Sequence, residues 1–106
     1  MPKLQYLQMP NAGYDVAIAF RRDGLAICSA RGVHDFSASE LALALILASL
    51  RGPDDFVRVQ LEGKWLQCPR PSLASKNVGL IRFGSLCQTI AGMLAPFKVD
   101  LAPFRA

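Results

Sequence analysis

Three cysteines, one histidine and one glycine turn are the parts of this chain whose chemistry reaches beyond packing. Cys28, Cys68 and Cys87 are odd in number and far apart, with no C-x-x-C among them. His34 is the sole histidine, so no structural metal site is expected. His34 could pair with any of the three thiols as base and nucleophile. The plainer reading makes the cysteines small buried hydrophobes in a reducing compartment, and His34 a loop residue beside Asp35. The third feature lies between Val78 and Ala95, where a strand, a glycine-containing turn and a helix are predicted in succession. That is the setting of a dinucleotide fingerprint. Its first glycine permits the tight turn, its second lets backbone approach a pyrophosphate, and its third lets helix and strand pack closely. Here the three positions read Arg82, Gly84 and Cys87, so only the middle glycine is present. Arg82 offers a phosphate positive charge, but its side chain is expected where the turn has least room. Cys87 adds bulk at the packing contact.

The elements that must position these residues centre on Ala30 to Arg51, ARGVHDFSASELALALILASLR. Ser37 and Glu40 form an S-x-x-E capping box, with Phe36 and Leu41 placed for a hydrophobic staple. From Leu41 to Leu50 the segment is apolar on every face except Ser49, which predicts a helix inside a core or between packed layers. Before it, Leu4 to Met9 reads as a short strand and Pro10 to Gly13 as a sharp loop. Asp15 to Phe20 is apolar but of undetermined type, and Leu25 to Cys28 is a second short strand. After it, Gly52 breaks the chain and Pro53 opens another helix, with Asp54 and Asp55 at its positive end and Gly63 as its stop. Residues 64–76 read as a loop lying across the surface. Val78 to Phe83 is the next strand, Leu86 to Leu94 has helical spacing up to Pro96, and Val99 to Ala102 opens a further strand. Strands separated by helical segments predict an α/β class with parallel pairing.

Composition sets outer bounds. A chain of 106 residues, 52% hydrophobic and 19% charged, reads as globular. The apolar run at 41–50 is too short for a bilayer, which needs about 20 residues. No signal-peptide core appears at the N-terminus, so a cytoplasmic protein is expected. The net charge of +4 comes from twelve scattered basic residues, and only Arg21 and Arg22 are adjacent. That distribution describes a solvated surface and not a nucleic-acid site.

Laid out in order, four blocks resemble the D-isomer-specific 2-hydroxyacid dehydrogenases, a family that includes phosphoglycerate dehydrogenases and glyoxylate or hydroxypyruvate reductases. They are LQYLQMPNAGYD at 4–15, GLAICSARGVHDFSASELALALILASLR at 24–51, FVRVQLEGKW at 56–65 and SKNVGLIRFGSLCQTIAGMLAPF at 75–97. The resemblance implies an incomplete doubly wound domain, a partial Rossmann-like parallel sheet with helices. Residues 1–30 would be the remnant of a substrate-binding domain, and 31–106 the first part of an NAD-binding domain. The loop at Asn11 to Asp15 would supply backbone amides from Ala12 and Gly13 to a substrate carboxylate. Arg82, Phe83, Gly84, Ser85 and Leu86 would be a degenerate cofactor turn for NAD or NADP. Ser37 to Ser39 would lie near the cofactor, with capping and packing as the reading of their small side chains.

The resemblance further implies hydride transfer between that cofactor and a small 2-hydroxy or 2-oxo acid. The family's catalytic arginine, acid and histidine all lie downstream of the glycine turn, so no catalytic residue is assigned within this chain. His34 does not match that histidine. No carboxylate stands about 20 residues past the turn, where the ribose is read, and a terminal Arg105 is a poor contact for a 2′-phosphate. A fragment incapable of catalysis alone is expected. The alternative is a non-enzymatic interaction module, exposing the 37–50 helix for homo-oligomer formation.

Overall fold

A computed structural model describes residues 3–104, in two compact units that divide between Asp35 and Phe36. Arg105 lies outside the described residues. In the first unit, β1 (Tyr6–Gln8) pairs in parallel with β2 (Ala26–Cys28), setting Leu7 against Ile27. Period-two alternation half-buries that pair and leaves the flanking residues in solvent. The segment left open by the sequence becomes a single helical turn, α1 (Asp15–Ile18). Its Ala17 is the one buried side chain among the described residues of this unit.

The second unit contains α2 (Asp35–Arg51), which begins at the boundary, followed by α3 (Pro53–Leu61), β3 (Asn77–Ile81), α4 (Ser85–Leu94) and β4 (Asp100–Phe104). A short 3-10 turn, Ala95–Phe97, links α4 to β4. β3 and β4 are parallel, in register from Asn77 opposite Asp100 to Ile81 opposite Phe104. This β–α–β unit and its helices form the partial Rossmann-like sheet that the sequence implies. The core is Leu73, Leu80, Ile90 and Leu94, against which Ile46, Leu47 and Leu50 of α2 pack.

Two expectations about α2 need correction. The helix starts two residues before Ser37, so Ser37 and Glu40 lie inside it and the capping box does not form its start. Val33 N–H donates to Ala30 O (3.1 Å) and Asp35 N–H to Gly32 O (3.4 Å), so the chain is already winding there. Nor is the helix enclosed. Only Ser39 is buried, while Leu41 and Leu45 are each 61% exposed and Phe36 is 71% exposed. One face meets the core built by α4, β3 and Leu73. The opposite face is uncovered.

The corner between α2 and α3 follows the expected local chemistry. Gly52 is left-handed (φ 59°, ψ 47°), and Pro53 opens α3 with Asp54 and Asp55 in its first turn. At the other end Gly63 is also left-handed (φ 68°). Gly63 N–H donates to Gln60 O (2.9 Å) and Lys64 N–H to Val59 O (3.0 Å), a Schellman ending. Residues 64–76 then form a strap fixed at its far end. The Arg70 guanidinium pairs with the Asp55 carboxylate and lies 5.9 Å from the Phe56 ring centre. Arg51 Nη1 donates to Arg70 O (2.7 Å) and Pro71 O (3.3 Å), and Leu73 drops into the core.

Candidate functional site

The turn joining β3 to α4 comprises Arg82, Phe83 and Gly84. Arg82 has φ 61°, so an arginine holds the left-handed conformation where the fingerprint has its first glycine. For a residue with a Cβ this costs about 1–2 kcal/mol. Its side chain is exposed, which corrects the expectation of crowding: the cost lies in the backbone and not in space. Arg82 N–H donates to Phe104 O (3.0 Å), and Gly84 N–H donates back to Arg82 O (2.7 Å). Gly84 is extended, and a Cβ there would meet only Arg82 O, at 3.8 Å. The chain's own packing therefore does not require glycine at 84.

The other residues divide between core and solvent. Phe83 packs against the core, Ser85 opens α4 on the surface, and Leu86 is 39% exposed. Cys87 is half-buried, with Sγ 3.6 Å from Ile81 O, so it fills the helix–strand contact reserved for the third glycine. In open α/β sheets ligands occupy the crevice beyond the carboxyl ends of the strands. Here that end of β4 is Phe104, twenty residues past Gly84 in the sequence. Its ring leans over Gly79, where a Cβ would lie 3.6 Å from it. The nearest carboxylate in sequence, Asp100, begins β4 opposite Asn77. A parallel strand rises about 3.3 Å per residue, so Asp100 lies roughly 13 Å from the crevice. The strand–turn–helix order in which a dinucleotide turn occurs is present, but the side chains at Arg82, Cys87 and Phe104 do not fit the group such a turn would cradle.

Ala12 and Gly13 lie on an exposed loop of the first unit, away from this turn in sequence. Asn11 O accepts from Ala30 N–H (3.0 Å), and His34 Nε2 lies 3.1 Å from Pro10 O. Tyr14, just after the loop, lines a concavity of about 480 Å³ with Ile18, Arg21 and Leu25. Cys28 and Cys68 are exposed, so the buried-hydrophobe reading fails for both. Cys28 sits on the outward side of a two-stranded ribbon, and Cys68 on the free part of the strap. Among the described residues no group of three or more histidines, cysteines or carboxylates could hold a metal ion. Ser39 Oγ is buried without a hydrogen-bond partner among the described residues. The sequence reading missed the Arg70–Asp55 pair and Phe104. The first has no local signal; the second is found by counting from Gly84.

Parallel strands joined through a glycine turn and helix give a Rossmann-like α/β architecture. Comparison with known proteins carries this to a family. No family model matches the chain. The 2-ketogluconate reductase of Gluconobacter oxydans is 28% identical over 114 aligned positions, covering 100% of this chain and 36% of that protein. A D-isomer-specific 2-hydroxyacid dehydrogenase family protein from Aeromonas salmonicida superposes with a TM-score of 0.88 at 24% identity, over 96% of this chain and 33% of that one. A D-isomer-specific 2-hydroxyacid dehydrogenase from Xanthobacter autotrophicus, solved with NADPH and MES, gives 0.70 at 25% identity over 96% and 34%. In sequence and fold the chain thus resembles the D-isomer-specific 2-hydroxyacid dehydrogenases. It spans about a third of the length of these relatives.

Proposed function

We propose that this chain corresponds to the segment of a 2-hydroxyacid dehydrogenase that joins the two domains, and that by itself it is catalytically incompetent. Residues 1–30 represent the substrate-binding domain and 31–106 the start of the NAD(P)-binding domain. In a whole enzyme of this kind, Ala12 and Gly13 offer amides to the carboxylate of a small 2-hydroxy or 2-oxo acid. The turn from Arg82 to Leu86 lies where the family places its cofactor. The observation that carries this reading is the fold alignment, at a TM-score of 0.88, over 96% of the chain and 33% of the Aeromonas salmonicida protein. Hydride transfer needs an oriented substrate and a proton donor near the cofactor. The lone histidine, His34, contacts Pro10 O in the first unit instead. A cytoplasmic location accords with the absence, among the described residues, of any helix long and apolar enough to cross a membrane.

A second reading rests on α2. Leu41 and Leu45, one helical turn apart, are each 61% exposed, which favours an interaction module pairing two copies through the 37–50 helix. Turnover tests the first reading. Purified chain with NADPH or NADH and glyoxylate, hydroxypyruvate or 2-ketogluconate is expected to show no loss of absorbance at the nicotinamide wavelength. Steady oxidation that disappears when the chain itself is mutated overturns the claim of incompetence.

A further inference from the structure

The crevice at the carboxyl ends of β3 and β4 disagrees with the cofactor that the fold suggests, and the disagreement extends past the missing glycines. We infer that this crevice does not hold an NAD-type dinucleotide, and that Phe104 contributes to the exclusion independently of Arg82 and Cys87. The inference rests on the reading of residues 82–86 as the counterpart of a cofactor turn.

Binding a dinucleotide at such a crevice calls on two separate ends of the ligand. The pyrophosphate needs backbone amides and room at the turn, and the adenosine ribose needs a carboxylate to accept from its hydroxyls. At the first end, Gly84 N–H is already donated to Arg82 O (2.7 Å). Cys87 Sγ fills the strand–helix contact beside Ile81 O, at 3.6 Å. At the second end the residue is Phe104, whose ring lies over Gly79 on the neighbouring strand. A phenyl ring accepts no hydrogen bond of the strength a carboxylate offers, so ribose hydroxyls brought against it lose water without recompense. Asp100 cannot substitute, because it begins β4 at the opposite end, paired with Asn77. One defect lies in the turn and the first residues of α4, the other at the end of β4, and they act on different parts of the ligand.

The test is a titration of three full-length forms with NADH, followed by nicotinamide fluorescence and by calorimetry, with far-UV circular dichroism confirming the fold of each. The forms are the natural chain, Arg82→Gly with Cys87→Gly, and those two changes together with Phe104→Asp. The natural chain is expected to show no saturable signal up to millimolar NADH. The triple variant is expected to bind at least tenfold more tightly than the double variant. Saturable micromolar binding by the natural chain overturns the inference. Equal affinity in double and triple variants, or no binding by a folded triple variant, overturns the part assigned to Phe104. None of these results bears on turnover, so failure here and failure of the proposed function are separate outcomes.

Discussion

Replacing Gly52 with alanine tests how the strap and the α2–α3 corner hold one another. Gly52 is left-handed, with φ 59°. An alanine there costs about 1–2 kcal/mol in backbone conformation. Roughly 0.5–1 kcal/mol of this is offset because glycine gives up more freedom on folding. The new Cβ would also lie 2.9 Å from Arg70 Cζ, 3.1 Å from Nη1 and 3.2 Å from Nε, so the guanidinium must move. A guanidinium at the end of a long side chain usually moves cheaply. This one is tied to Asp55 and stacked near Phe56, and moving it loosens both contacts. The Asp55 side chain is 38% exposed, so solvent screening limits that pair to under about 1 kcal/mol. The whole change should destabilise by about 2 kcal/mol, half of it through Arg70. In an Arg70→Ala background the cost of Gly52→Ala should fall to the backbone remainder, giving a coupling of about 1 kcal/mol. Urea denaturation followed by far-UV circular dichroism measures all four forms. Tryptophan emission is a poor probe, because Trp65 is already 92% exposed in the folded chain. Equal costs in the two backgrounds would refute the claim that Arg70 is held against Gly52. No cost in either would refute the left-handed corner.

Two further changes separate surface from core. Leu45→Glu places a carboxylate at a position 61% exposed, where it keeps its water, so the helix should survive with a loss under about 1 kcal/mol. If two copies pair through α2, light scattering will show the variant at half the mass of the natural chain; an unchanged mass rules out that contact. Leu73→Ala removes a strap residue that is 4% exposed within the core cluster, and should cost about 2–4 kcal/mol in urea denaturation. A loss below about 1 kcal/mol would mean that the strap rests on the core without belonging to it.

What was legible in the sequence follows the range of the interactions involved. The start and stop of α3 are local, written in Gly52, Pro53, Asp54, Asp55 and Gly63, and the structure reproduces them. The identity of α2 as a helix was equally plain, since alanine or leucine, both strong helix formers, hold eight of the ten positions from Leu41 to Leu50. Its burial was not legible. An all-apolar helix says that something should cover each face, but only packing decides which face is covered. Here α4, β3 and Leu73 cover one, and Leu41 and Leu45 remain open. Its start lies ahead of the serine because the turn at 30–35 winds into the helix, a continuity that the capping signal at Ser37 does not reveal. The strap's attachment joins Arg70 to Asp55 across fifteen residues, and no periodic pattern encodes such a pair.

The glycine turn shows a different limit. Reading Arg82 and Cys87 as departures from a fingerprint was possible from residue types alone, but the conformation of the turn was not. Arg82 takes up the left-handed conformation all the same, with its N–H on Phe104 O from the adjacent strand and α4 starting three residues on. A cost of about 1–2 kcal/mol at one residue is small beside burial of Leu80, Ile90 and Leu94, each worth roughly 1.5–3 kcal/mol. Strand pairing and core packing therefore impose the turn on a residue that local preference would refuse it. Those same forces leave the ligand-facing side chains unconstrained, because neither Phe104 nor Cys87 prevents β3, α4 and β4 from assembling. Fold likeness and cofactor competence rest on different residues: the first on the core of the second unit, the second on a few side chains at its rim that the core does not select.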